Sequence, residues 1–330
     1  MMGWEKFFGH AATVDYLRKN IASGKFPHAV IFAGTEGIGK RTAADICAAA
    51  LLCDNPVDGS PCGVCESCRL TAAKSHPDFY IVEPEANKSK TRLIKIGQIR
   101  AMQTEAALRP INSERRVVII DGAELMNNAA ANCLLKTIEE PPSQTIFVLV
   151  TANLSSLPIT IRSRCITVHF DRLPPAQIQD ALIARGAEFD EARRLSVIAG
   201  GSFGRALTLK DSGGAQLRED AFNTLEKISR GEFNNEDIFT FGATVAEWPR
   251  DRFADFVIYI QKILRDVYSA DVSEPLNPDL SERTAALNIS EQKIFALMET
   301  GTTFHRRLKS NASLRLMAEA YLMSLRKIFR

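Results

Sequence analysis

Residues 26–42, FPHAVIFAGTEGIGKRT, constrain the fold more than any other stretch of the chain. A short apolar run, Val30 to Ala33, meets a glycine-rich turn from Gly34 to Gly39 that ends in Lys40. This is the pattern of a phosphate-cradling loop between a strand and a helix. Glycines such as Gly34, Gly37 and Gly39 let backbone N–H groups converge on an anion, the following helix offers its positive N-terminus, and Lys40 would reach the outer phosphates. One position departs from the pattern. The residue after the lysine should carry a hydroxyl to bind the magnesium ion of a nucleotide, and here it is Arg41. Thr42 cannot replace it as a metal ligand, because consecutive helical side chains point about 100° apart. Two readings of the loop stay open: Lys40 and the glycines favour weak nucleotide binding, or Arg41 sets its own charge at the magnesium position.

With 330 residues, 45% apolar and 24% charged, the chain is long enough for two or three domains with real cores. No window approaches about 18 uninterrupted apolar residues, and MMGWEKFFGH has neither a signal-peptide hydrophobic region nor a transit-peptide composition. A cytoplasmic protein with no membrane partner is expected. The net charge of +2 is unevenly spread: residues 85–116 hold eight Lys/Arg against three acids, and residues 306–330 hold seven against one. Either segment suits nucleic acid, and either also suits a solvated helix face.

The seven cysteines are spaced for metal binding or core packing rather than for a disulfide framework. Cys53, Cys62, Cys65 and Cys68 follow C-x8-C-x2-C-x2-C, with Pro61 and Gly63 in the knuckle. Two-residue gaps let neighbouring thiolates turn onto one ion. Four thiolates give a closed tetrahedral zinc site, structural rather than catalytic, since no coordination position is left for water. An iron–sulfur run would continue x3-C-P, and position 72 is Ala. Cys47, Cys133 and Cys165 sit in apolar contexts and read as packing residues.

The rest of the first half alternates helices and strands. Helices are expected at 10–23, 40–52, 96–108 and 128–140, the last with an Asn128 cap and a stop at Pro141-Pro142. A polar basic loop is expected at 84–95. Strands are expected at 79–82, 117–121, 145–151 and 165–170, which implies a doubly wound parallel sheet. Asp121 ends the buried run Val117 to Ile120, at the strand edge where ligands bind in open α/β sheets. There it would be a second magnesium-holding carboxylate beside the loop. Beyond Pro174-Pro175 the sequence is helical: 175–185, 190–199 and 203–211, then a polar break at 211–214 and further helices to 330.

In this order the phosphate loop, the four-cysteine knuckle, HPDF (His76 to Phe79), VVIID, NCLLKTIEEPP and SRC (Ser163 to Cys165) resemble the clamp-loader subunits of bacterial DNA polymerase III. The resemblance covers nearly all of residues 4–210; residues 215–330 match only in helical character and length. It implies an α/β AAA+ P-loop domain with a zinc knuckle at 1–171, a small helical lid at 172–212 and an all-α collar at 213–330. In the gamma and tau motor subunits a hydroxyl residue stands at the Arg41 position and an Asp-Glu pair at Asp121-Gly122. Their lid carries a sensor arginine in a Gly-Ser-x-Arg string, where GSFGRAL has Gly204. Three departures thus fall on hydrolysis and nucleotide sensing. The resemblance implies the family's non-motor member, with Gly34, Gly37, Gly39, Lys40, Thr42 and Asp121 forming a degenerate nucleotide site. ATP and Mg2+ are doubtful there.

Arg164 matches the arginine that in this family projects into a neighbouring subunit's nucleotide site, where such a finger is worth about 10³ to 10⁵ in rate. Outside the family context the same residue would cap a helix near a strand start. The implied partners are the delta and gamma or tau subunits, the DNA polymerase III holoenzyme, the sliding clamp and primed DNA. Two alternatives remain: a gamma-type ATPase active through Lys40 and Asp121, and a zinc-containing nucleic-acid-binding module built on the knuckle and segment 88–116.

Overall fold

Five strands, of which the three central ones are nearly unbroken apolar runs, make one parallel sheet. The computed structural model describes residues 3–86, 92–142, 144–211, 213–269, 275–308 and 312–329. The first elements are α1 (Ala11–Ala22), β1 (Ala29–Ala33), α2 (Lys40–Leu51), α3 (Glu66–Ala72) and β2 (Phe79–Val82). A two-stranded antiparallel pair, β3 (Glu85–Ala86) and β4 (Arg92–Leu93), then falls inside the stretch expected to be loop; residues 87–91 lie outside the described residues. Next come α4 (Ile96–Ala106), β5 (Arg116–Asp121), α5 (Asn128–Glu139), β6 (Thr145–Thr151), α6 (Ile159–Arg162) and β7 (Ile166–His169).

The sheet order is β2-β5-β6-β1-β7, and every neighbouring pair is parallel. Strands buried on both faces need no polar alternation, which is why β1, β5 and β6 read as continuous Val, Ile, Leu and Phe. Successive side chains nevertheless divide between two cores. Val30, Phe32, Val117 and Ile119 meet Leu17 and Ile21 of α1 and Ile46 of α2. Ile31, Val118 and Ile120 meet Ile99 and Met102 of α4 and Leu134 and Ile138 of α5. Ile96, the first residue of α4, is only half-buried. The cap of α5 is Asn127 rather than Asn128: its side chain accepts the Ala130 N–H at 2.8 Å.

From β1 the chain crosses to β2 at the far edge, and β6 later inserts between β5 and β1. The C-terminal ends of β1, β6 and β5 therefore lie side by side, with Ala33 opposite Thr151 and Asp121 opposite Val150. This places the glycine loop and Asp121 at one edge of the sheet.

The remaining helices are α7 (Pro175–Ile183), α8 (Phe189–Ile198), α9 (Phe203–Asp211), α10 (Gly214–Ser229), α11 (Asn235–Ala246), α12 (Arg250–Tyr268), α13 (Ser281–Ala285), α14 (Glu291–Arg307) and α15 (Leu314–Phe329). The chain divides into two units, Met1–Ala181 with Gly201–Arg205 and Leu182–Gly200 with Ala206–Arg330. In the second, α12 carries Phe253, Phe256, Ile260 and Ile263 into the core and packs on α10 and α14. The last helix, α15, buries Met317, Tyr321 and Leu325, the i, i+4, i+8 face its spacing implies, and packs on α11 and α14. Among the described residues no helix is long and apolar enough to cross a membrane.

Candidate functional site

The sheet edge opens into a cleft of about 630 Å³ whose lining includes Lys40, Arg41, Glu83, Asp121, Glu124 and Gly204. The loop that forms one wall turns at Gly37, whose φ of 72° favours glycine. A Cβ at Gly37 would stand 2.6 Å from the Ser202 hydroxyl, and one at Gly204 would stand 2.7 Å from the Gly37 carbonyl oxygen. Two small residues thus let backbone meet backbone. The Gly204 N–H donates to the Gly37 carbonyl at 2.8 Å, and the Ser202 hydroxyl donates to the Glu36 carbonyl at 2.8 Å. The start of α9 is fastened to the loop tip at the position where the resemblance would place a sensor arginine.

Lys40 is buried, and its ammonium donates to the carbonyls of Gly34 and Thr35, each at 2.7 Å. Burial pushes its pKa down, against the opposing pull of Glu124, Asp121 and Glu36. Gly39 is the N-cap residue of α2, and Thr42, in its first turn, is exposed at the rim of the cleft.

Arg41 is the centre of the arrangement. Its Nε donates to Asp45 Oδ1 at 3.0 Å, one helical turn on, and its Nη1 donates to Glu83 Oε1 at 2.7 Å and to Asp121 Oδ2 at 2.8 Å. Burial would lower the Arg41 pKa, but the three carboxylates outweigh it and raise it. The same contact holds the Glu83 carboxyl below its ordinary range, while burial lifts that of Asp45 against the pull of Arg41. Glu83 and Asp45 were not candidates on sequence grounds. Asp45 has a readable signal, the i, i+4 spacing to Arg41; Glu83 has none, since only the fold brings the end of β2 to this edge. Gly122 has a φ of 72°, and Glu124, two residues on, accepts the Ala152 N–H at 3.0 Å and lines the cleft.

The four knuckle cysteines form a second site. Their Sγ atoms all lie within 4.8 Å of one another, with Cys53 to Cys65 at 3.8 Å and Cys62 to Cys68 at 3.9 Å. A tetrahedron with metal–sulfur bonds of about 2.3 Å has S···S edges of about 3.8 Å, the length of these two separations. Backbone N–H groups stabilise thiolate: Cys62 N–H donates to Cys53 Sγ, Cys65 N–H to Cys62 Sγ and Cys68 N–H to Cys65 Sγ. Backbone N–H donors of Val64 and Cys65 pull the Cys62 thiol down to about 6. The cluster can hold a metal ion. Cys47 is fully buried and Cys133 and Cys165 half-buried, and all three pack against the sheet cores.

The HPDF segment makes a separate set of contacts. The fully buried Asp78 accepts N–H bonds from Ile111, Asn112 and Ser113 at 2.7, 2.8 and 2.9 Å, with Arg116 Nη2 at 3.5 Å. The Ser113 hydroxyl reaches both the Leu52 carbonyl, one residue before Cys53, and His76 Nε2.

Arg164 follows α6 and keeps 39% of its side chain exposed. Nη2 pairs with Glu139 Oε1 at 2.7 Å, and Nη1 donates to the Thr160 carbonyl at 3.0 Å, so the helix-capping contact is present as well. Neither Arg164 nor the cysteine cluster lines the cleft of Lys40 and Asp121. Of segment 88–116, residues 88–91 lie outside the described residues.

The chain was also compared with known proteins. Residues 9–174, half of the chain, match the family described as DNA polymerase III, delta subunit. The chain is 35% identical over 203 residues to DNA polymerase III subunit delta' of Pseudomonas aeruginosa, covering 62% of this chain and 61% of that protein. It is 36% identical over 182 residues to subunit delta' of Bacillus subtilis, covering 54% and 53%. It is 31% identical over 227 residues to subunit tau of Escherichia coli, covering 66% and 34%. The chain thus spans less than two thirds of the length of each of these relatives. On the family match, and with the glycine loop, Asp121, the cysteine cluster and the SRC segment all inside or beside residues 9–174, the chain belongs to the DNA polymerase III delta-subunit family.

Proposed function

We propose that this chain is a non-motor, delta-prime type subunit of a DNA polymerase III clamp loader. In this reading residues 1–171 are the AAA+ domain, 172–212 the lid and 213–330 the collar that joins the chain to delta and gamma or tau subunits. The assembly loads the sliding clamp onto primed DNA in the cytoplasm. The observation that carries the reading is the Arg41 guanidinium seated on Asp121 and Glu83, where a motor subunit would manage a nucleotide's metal ion. Gly122 and Gly204 support it, since neither can orient water or sense a phosphate. Phosphoryl transfer depends on positioning and charge stabilisation, and a site lacking these groups should not turn over ATP.

Arg164 is the residue through which the chain would act on chemistry elsewhere. Its exposed guanidinium, held by Glu139 and the Thr160 carbonyl, is available to a neighbouring subunit's ATP. Cys53, Cys62, Cys65 and Cys68 would hold a structural Zn2+, which supplies cross-linking of the knuckle and no step of a reaction. The 3.8 and 3.9 Å sulfur separations support that metal.

The test is ATP hydrolysis by a reconstituted clamp loader containing this chain with Arg164→Ala, beside the wild-type assembly and the isolated chain. An inactive isolated chain, and an intact assembly slowed by Arg164→Ala, are the expected results. A second reading, a gamma-type subunit with its own ATPase, draws on the retained Lys40 and Asp121 and on the tau relative. Turnover by the isolated chain that Lys40→Ala abolishes would establish it instead.

A further inference from the structure

The residues at the sheet edge do not fit a magnesium–nucleotide complex, and the misfit has a specific cause. A divalent ion at a phosphate loop needs the Asp121 carboxylate and a hydroxyl at position 41. Asp121 Oδ2 is instead engaged by Arg41 Nη1 at 2.8 Å, and the same nitrogen engages Glu83 at 2.7 Å while Nε holds Asp45 at 3.0 Å. One guanidinium thus touches three carboxylates that come from α2, the end of β2 and the end of β5. A hydrated magnesium ion and this guanidinium cannot share that space, and their like charges repel.

We propose that Arg41 is a tethered counter-ion that takes the place of the divalent cation, bars magnesium–nucleotide from this site, and holds the sheet edge in its ordered form without a ligand. The geometry argues for replacement rather than simple loss. A merely decayed metal site would leave Asp121 facing solvent or an unrelated partner, and Arg41 free to extend into water. Here the planar fork of Arg41 links three elements at the edge, as a bound ion would. The fastening of Ser202 and Gly204 onto the loop tip completes the closed arrangement. Lys40 is likewise turned onto the carbonyls of Gly34 and Thr35, within its own loop. This inference concerns the chain's own cleft and does not rest on the role proposed for Arg164.

The experiment uses the full purified chain, without partners, and ADP as the probe. Calorimetric titration is run with Mg2+ and again with EDTA, on the wild type, on Arg41→Thr, and on Arg41→Thr combined with Asp121→Asn. Wild type is expected to show no difference between the two conditions. Arg41→Thr is expected to bind ADP at least about tenfold tighter with Mg2+ than with EDTA, a difference of about 1.4 kcal/mol. Adding Asp121→Asn should erase that gain. Magnesium-dependent binding of ADP by the wild type overturns the proposal, and so does a folded Arg41→Thr with no magnesium-dependent gain. Water-proton relaxation with Mn2+–ADP gives an independent check on the wild type alone: any enhancement on adding the chain overturns the proposal even if the variants fail to fold.

Discussion

Replacing Asp78 by alanine should be among the most damaging single changes in the first unit. The carboxylate is fully buried and accepts three backbone N–H bonds between 2.7 and 2.9 Å from the turn at 111–113. Bonds to a charged acceptor are worth about 1.5–3 kcal/mol each, but three that share one group do not add. The deletion also takes the carboxylate away from Arg116, a buried cation whose Nε and Nη1 have no hydrogen-bond partner among the described residues and whose Nη2 keeps the Arg109 carbonyl at 3.5 Å. Breaking a buried pair by removing one partner costs about 3–5 kcal/mol. Taking about 4 kcal/mol for the whole effect, a unit of this size should melt about 8–16 °C lower.

Because the chain forms two units, a global transition need not be two-state, and a local readout is better. Hydrogen exchange at the amides of Ile111, Asn112 and Ser113 measures the lost bonds directly. Unchanged protection at those amides, with a melting shift under about 2 °C, would refute the reasoning. The pH dependence has a definite sign. Burial opposes ionisation of Asp78, but the three N–H donors and Arg116 outweigh it and hold its carboxyl below the usual range. Its contribution is therefore complete above the unfolded value of about 3.9 and is lost as pH falls through the lower folded value. The gap between wild type and Asp78→Asn should narrow only below about pH 4.

Other outcomes follow from the same geometry. Chelation or Cys65→Ser should remove about one zinc per chain by elemental analysis, with loss of order confined first to residues 53–72; full retention of metal by the variant would contradict the four-sulfur site. Gly204→Arg, which restores the residue type of a sensing lid, should destabilise by about 1–3 kcal/mol rather than confer nucleotide binding, because its Cβ would fall 2.7 Å from the Gly37 carbonyl. A variant as stable as wild type in denaturant titration would show that the loop and α9 are not in contact in solution. Arg41→Ala should raise the Glu83 carboxyl toward its ordinary range, since the Arg41 bond is the largest cause of its depression; an unmoved titration by carbon NMR would contradict the pairing.

Much of the sheet was legible because its strands are bounded by strong punctuation. Thr145 to Thr151 lies between Pro141-Pro142 and the polar Asn153, and the strand has those ends. Phe79 to Val82 is equally well framed. The helix α3 was hidden because cysteine spacing, read as ligand geometry, masks the helical phase of a short segment. Lys40, Arg41 and Asp121 were found from local motifs and do line one cleft. Glu83 and Glu139 were not, since each meets its arginine through a contact 42 and 25 residues away in the chain. Which reading of Arg41 holds depends on the groups it meets. Its charge is local information, but its partners are a product of strand order.

Cys65 does two things with one sulfur: it belongs to the metal cluster, and as the N-cap residue of α3 its side chain accepts the Cys68 N–H at 3.4 Å. A helix of seven residues has little stability of its own, so its end cap decides whether it exists. Folding of α3 and occupancy of the cluster are then two readings of one equilibrium. The Cys68 amide, which faces that sulfur while its own thiol completes the set, becomes a natural gauge of metal loading, visible by NMR without touching the rest of the chain.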